Sequence, residues 1–227
     1  MRKNPTFVLV GTLLSCLIVP GAAIRAADHP AAESVSADEA FHRLASGNAR
    51  YTHDHLKTKN FTEERHALAK GQHPYAIVIA CADSRVAPEI MFDESLGKLF
   101  VIRVAGNVID PVVLGSVEYA ADHLHSHLVV VLGHEGCGAV AAAIEGGTPP
   151  PNIAELTKRI APAVEKTKGK GSDAAVSENV RLQMRSALAG SRDLTEMTAK
   201  KELEIIGAVY HLESGAVEWL SKPAGEK

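Results

Sequence analysis

Two short stretches carry the residues of this chain best equipped for chemistry. In "ACADSRVAPE" (residues 80–89) Cys81, Asp83 and Arg85 stand at alternate positions, directly behind the apolar run "YAIVIA". In "GHEGCG" (residues 133–138) His134 and Cys137 stand behind a second apolar run, "HLVVVLG". Cys81, Asp83, His134 and Cys137 together offer two thiols, a carboxylate and an imidazole, a donor set that tetrahedral zinc accepts. Residues two apart in an extended segment point the same way, so Cys81, Asp83 and Arg85 are expected to share a side. Gly133, Gly136 and Gly138 would let the backbone bend closely around an ion. Cys137 precedes the helical stretch "GAVAAAIEGG", where the helix dipole favours thiolate over thiol. Spacing alone leaves three readings open: a catalytic zinc site, a structural metal site, or a Cys81–Cys137 disulfide. The disulfide leaves His134, Asp83 and Arg85 unexplained, and structural zinc is normally closed by four Cys or His ligands.

Something must bring these two stretches together. "YAIVIA", "LFVIRVA" (residues 99–105) and "HLVVVLG" (residues 127–133) are short β-branched runs without proline, as in strands buried on both faces of a parallel sheet. The segment "DPVVLGSVEYAADHL" between the last two reads as a helix. Asp110 caps it, Pro111 stands in its first turn, and Val112, Val113, Val117 and Ala120 form its apolar stripe. Strand, helix and strand make a βαβ unit. If the ligand-bearing strands are adjacent and parallel, their ends converge at the carboxyl edge, where α/β sheets gather functional loops. Ser36 and Glu39 form a capping box that predicts an N-terminal helical arm from near Ala37. Helices are expected near 153–168, 174–189 and 194–201, and "LEIIGAVYHLESGAVEWL" reads as a C-terminal hairpin. The expected fold is α/β, a mainly parallel central sheet flanked by helices, in one domain over residues 36–227.

The bulk properties narrow the function class. The chain has 227 residues, 46% hydrophobic and 22% charged, with a net charge of −3. That balance points away from nucleic acid and anionic membrane surfaces, and 4% aromatics gives no stacking platform for single strands. Residues 1–26 are different material: "MRKNPT" is basic, "FVLVGTLLSCLIVPGAA" is apolar, and small residues follow. This order reads as a cleavable signal peptide, with 27–35 as a linker. An uncleaved anchor or a lipid on Cys16 are the other readings of the same segment. Cleavage removes Arg2, Lys3 and Arg25, taking the charge from −3 to −6. The expected product is periplasmic or secreted and has no stable membrane anchor. It keeps only Cys81 and Cys137, and two cysteines in an exported chain first suggest a disulfide.

"CADSRV", "RVAGN" and "GHEGCGAV", in this order and spacing, resemble the β-class carbonic anhydrases, in an exported bacterial form with a plant-like active-site branch. The resemblance implies one Zn²⁺ per subunit held by Cys81, His134 and Cys137, beside an Asp83–Arg85 dyad. It implies reversible hydration of CO₂ to bicarbonate and a proton, by attack of zinc-bound hydroxide with the dyad's help. It further implies a homodimer or higher homo-oligomer, Gln72 as a substrate-contacting glutamine, and Phe100, Ala105 and Tyr119 lining the pocket. Ala105 is smaller than the usual valine there. In some members the aspartate itself closes onto zinc as a fourth ligand; Gln72 favours the open form here. The alternatives are a related zinc hydrolase acting on CS₂ or COS, and a non-catalytic zinc-binding or disulfide-linked module. Among the remaining polar residues, His123, His125 and His127 read as solvated, and His73 as a candidate proton shuttle. Asp93, Glu94 and Glu135 read as surface charges. Arg103 and Asn107 are expected to hold the loop after the second strand, and Trp219 to lie in the core or an interface.

Overall fold

Strand residues of alternating parity face two separate cores, and that alternation organises the molecule. The computed structural model describes residues 35–220. The expected signal peptide and all but the last residue of the linker lie outside them. Strands β1 (Ala76–Ala80), β2 (Leu99–Arg103), β3 (Leu128–His134) and β4 (Glu204–Tyr210) are parallel, and β5 (Val217–Trp219) closes an antiparallel hairpin on β4. The order across the sheet is β2-β1-β3-β4-β5. Ile77, Ile79, Val129 and Val131 face one core. Val78, Ala80, Val130 and Leu132 face the other. Every residue of β1 and β3 is buried, as their unbroken apolar runs require.

The helices supply the two covering layers. Helices α4 (Pro111–Asp122), α5 (Gly138–Glu145), α6 (Pro151–Lys166), α7 (Ser172–Gly190) and α8 (Arg192–Ala199) contribute to the first core. The N-terminal arm α1 (Ala37–Thr52) and the short α3 (Pro88–Met91) contribute to the second, with Phe41 edge-on to Trp219 at 4.9 Å. The capping box is half formed: Ser36 Oγ accepts from the Glu39 amide, while the Glu39 carboxylate turns to Arg43. Asp110 caps α4 as expected, accepting from the amides of Val112 and Val113. Val112 itself is 78% exposed, because the buried face runs through Val113, Val117, Ala120 and Ala121 and leaves it a quarter-turn away. Strands β2 and β3 of the βαβ unit are not neighbours, since the crossover spans β1. Helix α2 (Phe61–Leu68) buries no residue and so left no apolar stripe to read. Gly133 allows α7 to lie against β3: a Cβ there would sit 2.6 Å from Val180 Cγ2.

Asp93 is not a surface charge. Its side chain is fully buried at a left-handed backbone position (φ 48°), accepting from Arg50 Nε (2.5 Å), Lys59 Nζ (2.6 Å) and the Lys57 amide (3.2 Å). Burial pushes its carboxyl up, but these donors outweigh burial and hold it at about 2. Because the folded value is depressed, this stabilisation is present above the unfolded pKa of about 3.9. It disappears as the pH falls through about 2. Asp93→Asn keeps a residue that tolerates the left-handed turn yet leaves two cations without their anion. Urea unfolding at pH 7 should show a loss of about 3 kcal/mol. A change below about 0.5 kcal/mol would mean that the pair has no net value.

Candidate metal centre

The strand order delivers the convergence that the two motifs require. Ala80 pairs with Leu132, so β1 and β3 leave the sheet side by side and release Cys81 and the 134–138 loop at the same edge. Candidate ligand atoms of Cys81, His134 and Cys137 lie within 4.8 Å of one another, and all three residues are buried. The two Sγ atoms are 4.0 Å apart and both thiols are free. A disulfide needs about 2.05 Å, whereas two thiolates on one tetrahedral zinc at about 2.3 Å stand roughly 3.8 Å apart. His134 Nδ1 bonds the Glu135 carbonyl at 2.8 Å, which makes Nδ1 the protonated nitrogen. That leaves Nε2 as a buried acceptor with no hydrogen-bond partner. Such an orphaned atom is costly, and a metal ion beside two sulfurs resolves it. The donor set therefore fits zinc.

The thiols interact strongly. The Cys137 thiol, hydrogen-bonded to Cys81, and the Gly106 amide (3.3 Å) favour the thiolate of Cys81 against the opposing effect of burial. The same interaction with Cys81, together with burial, pushes the Cys137 thiol up. A dication beside the two sulfurs would favour ionisation of both. Cys137 occupies the N-cap position of α5, at the helix N-terminus that the sequence suggested, without a side-chain capping hydrogen bond. Of the three loop glycines, Gly136 takes a left-handed conformation (φ 60°) and Gly133 serves close packing. Gly138 opens α5 with free space around it, so no steric need fixes it as glycine.

Asp83 and Arg85 meet at a turn, not through an extended alternation. The Asp83 carbonyl accepts from the Val86 amide and its Oδ1 from the Arg85 amide (both 3.0 Å), an Asx turn that folds Arg85 back. Arg85 then donates Nε to Oδ1 (2.9 Å) and Nη2 to Oδ2 (2.7 Å), a bidentate pair. The guanidinium holds the Asp83 carboxyl well below the usual carboxylate range, outweighing burial. Oδ2 also lies 3.9 Å from His134 Nε2, so the carboxylate borders the ligand cluster. Arg103 supports this loop from below. It donates to the carbonyls of Cys81 (3.2 Å) and Asp83 (2.6 Å), so it holds the first loop and not its own. Asn179 bonds the Gly106 carbonyl (2.9 Å) and Gln183 accepts from the Ile109 amide (2.9 Å), fixing the 3₁₀ turn Ala105–Asn107 from α7. Their signal was a pair of polar residues four apart on a buried helix face.

The expected pocket residues divide into two groups. Ala105 sits in the 3₁₀ turn beside Cys81. Gln72 is exposed and precedes the amino end of β1, so the whole strand, about 16 Å, separates it from Cys81 in the same chain. Phe100 pairs with Ile77 near the same end of the sheet and packs on Tyr119 at 6.3 Å between ring centroids. Glu94 accepts from Tyr75 (2.9 Å), and Glu135 is held by His211 and the Leu212 amide, so neither is a free surface charge. His123 pairs with Asp122 and is half-exposed, and His127 bonds the Glu202 carbonyl; neither forms a second cluster.

Comparison with known proteins agrees with this geometry. The family model for carbonic anhydrase matches residues 76–217. The chain is 39% identical over 184 residues to carbonic anhydrase 2 of Mycobacterium tuberculosis, covering 78% of this chain and 89% of that protein. It is 40% identical over 192 residues to a carbonic anhydrase of Mycolicibacterium smegmatis, covering 79% and 91%. Among solved structures, the β-carbonic anhydrase CcaA superposes with a TM-score of 0.64 at 26% identity, covering 80% of this chain and 95% of that one. The Coccomyxa β-carbonic anhydrase gives 0.63 at 28%, covering 80% and 82%. Sequence, fold and ligand cluster agree, and the chain belongs to the β-carbonic anhydrase family.

Proposed function

We propose that this carbonic anhydrase hydrates CO₂ at a zinc ion held by Cys81, His134 and Cys137, with Asp83 and Arg85 orienting the attacking water. One observation carries the reading: a buried, unpartnered His134 Nε2 beside two free thiols, bordered by a carboxylate held in a bidentate grip. Zinc, when bound, would supply the Lewis acidity that makes water nucleophilic near neutral pH. Asp83 would accept a hydrogen bond from the attacking water and so turn a lone pair of the water oxygen toward the substrate carbon. Arg85 keeps the carboxylate ionised and turned, which supports the open arrangement in which Asp83 serves water and not the metal. Bicarbonate and a proton then leave.

Gln72, Phe100 and Tyr119 serve this site from a second subunit. Strand β2 is the sheet edge, and most of its side chains are only half-buried; Tyr119 nearby is 45% exposed. Antiparallel pairing of two β2 edges would set the amino end of one, with Phe100, against the carboxyl end of the other, near Ala105 and Cys81. A homodimer is the smallest assembly with complete sites. Residues 1–26 serve as an export signal and 27–35 as a linker, which supports a periplasmic or secreted enzyme built on the domain 36–227. Among the described residues no helix is long and apolar enough to cross a membrane.

Stopped-flow CO₂ hydration, with zinc content measured in parallel, tests the reading. One zinc per chain and a rate proportional to zinc are expected; zinc without hydration would refute it. Gln72→Ala should lower turnover about tenfold or more at unchanged zinc content. Co-expression of Gln72→Ala with Cys81→Ser subunits should yield mixed dimers more active than either parent, because one complete site is restored across the interface. No gain on mixing would place Gln72 outside its partner's site.

A further inference from the structure

The 134–138 loop is tied to the far side of the sheet by a residue that the mechanism does not use. His134 pairs with Tyr210 at the ends of β3 and β4, and the Glu135 amide donates to the Tyr210 carbonyl (3.0 Å). The Glu135 carboxylate then reaches into the β4–β5 turn. Oε1 bonds His211 Nδ1 (2.6 Å) and Oε2 accepts from the Leu212 amide (3.0 Å). On its other side, His211 Nε2 faces Glu218 Oε2 at 3.3 Å. Glu135 is therefore held through both carboxylate oxygens and its amide, while its carbonyl accepts from His134 Nδ1. The next carbonyl, of Gly136, lies 3.5 Å from Arg85 Nη2, so the loop also borders the Asp83–Arg85 pair.

We infer that Glu135 and His211 are positioning residues, which clamp the His134 loop to the β4–β5 turn and fix the tautomer that presents Nε2 to a metal. The inference rests on the zinc reading above. The reason is geometric. The Nδ1 bond to the Glu135 carbonyl decides which ring nitrogen is free, and that carbonyl is only as fixed as the residue that carries it. Outer partners of metal-ligating histidines govern affinity in this way. A partly exposed carboxylate–histidine pair acting on its own would add little to folding stability, so metal affinity, not the melting temperature, separates the two roles.

The test measures zinc affinity by chelator competition on the full-length enzyme, with the cobalt(II) absorption spectrum as a report on ligand geometry. Glu135→Ala should weaken zinc binding about 10- to 100-fold and alter the cobalt bands. Glu135→Gln, which keeps an acceptor for the Leu212 amide, should stay within about threefold of the parent. Zinc affinity within twofold and an unchanged cobalt spectrum in Glu135→Ala would overturn the inference. Where Glu135→Ala does not fold, His211→Ala takes its place: a fall in affinity supports the clamp and an unchanged value overturns it. A parent enzyme that binds no zinc would instead refute the metal reading itself.

Discussion

Replacing His134 with alanine should strip the enzyme of zinc and lower CO₂ hydration by at least about 10³-fold. His134 is fully buried, and its Nε2 has no protein partner to lose, so the substitution removes a ligand and no structural hydrogen bond at that atom. What remains is a pair of thiols 4.0 Å apart. Two sulfurs without the imidazole offer too few ligands to hold a dication against a chelator. The ring's volume is lost as well, so Cys81→Ser, which barely changes volume, is the companion variant. It should lose zinc to a similar degree while keeping the native circular dichroism spectrum. Metal analysis after dialysis against a mild chelator decides the matter. Stoichiometric zinc in both variants would place the ion elsewhere.

The fold and the ligand cluster were legible because their signals are local. Three short β-branched runs implied parallel strands, and each of the two ligand motifs followed one of them directly. Two of the strands are fully buried, while β2, expected to be buried as well, is the half-buried sheet edge. What the sequence left out was long-range. The Asp83–Arg85 contact was expected from alternation in an extended segment, yet it arises from an Asx turn that brings Arg85 back onto its neighbour. In sequence, Asp93 and Glu135 read as surface charges, because charged residues in loops usually are. Their partners, Arg50 and Lys59 for one and His211 for the other, lie tens of positions away, where no spacing rule reaches. Arg103 was expected to bond carbonyls, and it does, but those of the neighbouring strand's loop. Gln72 shows the same limit at the level of assembly. Its motif position is readable in sequence, while its distance from Cys81 within one chain follows from the extended strand β1 that lies between them.

Asp83→Asn should retain one zinc per chain and lose about 10²- to 10³-fold in turnover. The two carboxylate oxygens divide the work, and that division makes the variant informative. Oδ1 accepts from the Arg85 amide and Nε, and asparagine's carbonyl can replace it, so the turn survives. Oδ2 takes Arg85 Nη2 and borders His134 Nε2, and an amide nitrogen there can accept nothing. It would instead point its protons at a guanidinium, which must move. On the proposed mechanism the acceptor for the attacking water would be lost while the scaffold stays. The pH dependence sharpens the test. Arg85 depresses the carboxyl's folded pKa, so the wild-type group is ionised throughout the neutral range. Its stabilising contribution is present above the unfolded value of about 3.9 and fades only in stronger acid. Raising the pH cannot supply asparagine with the missing acceptor, so the variant should stay slow at pH 9. A rate within threefold of the parent at either pH would remove Asp83 from the mechanism and leave Arg85 a structural partner alone.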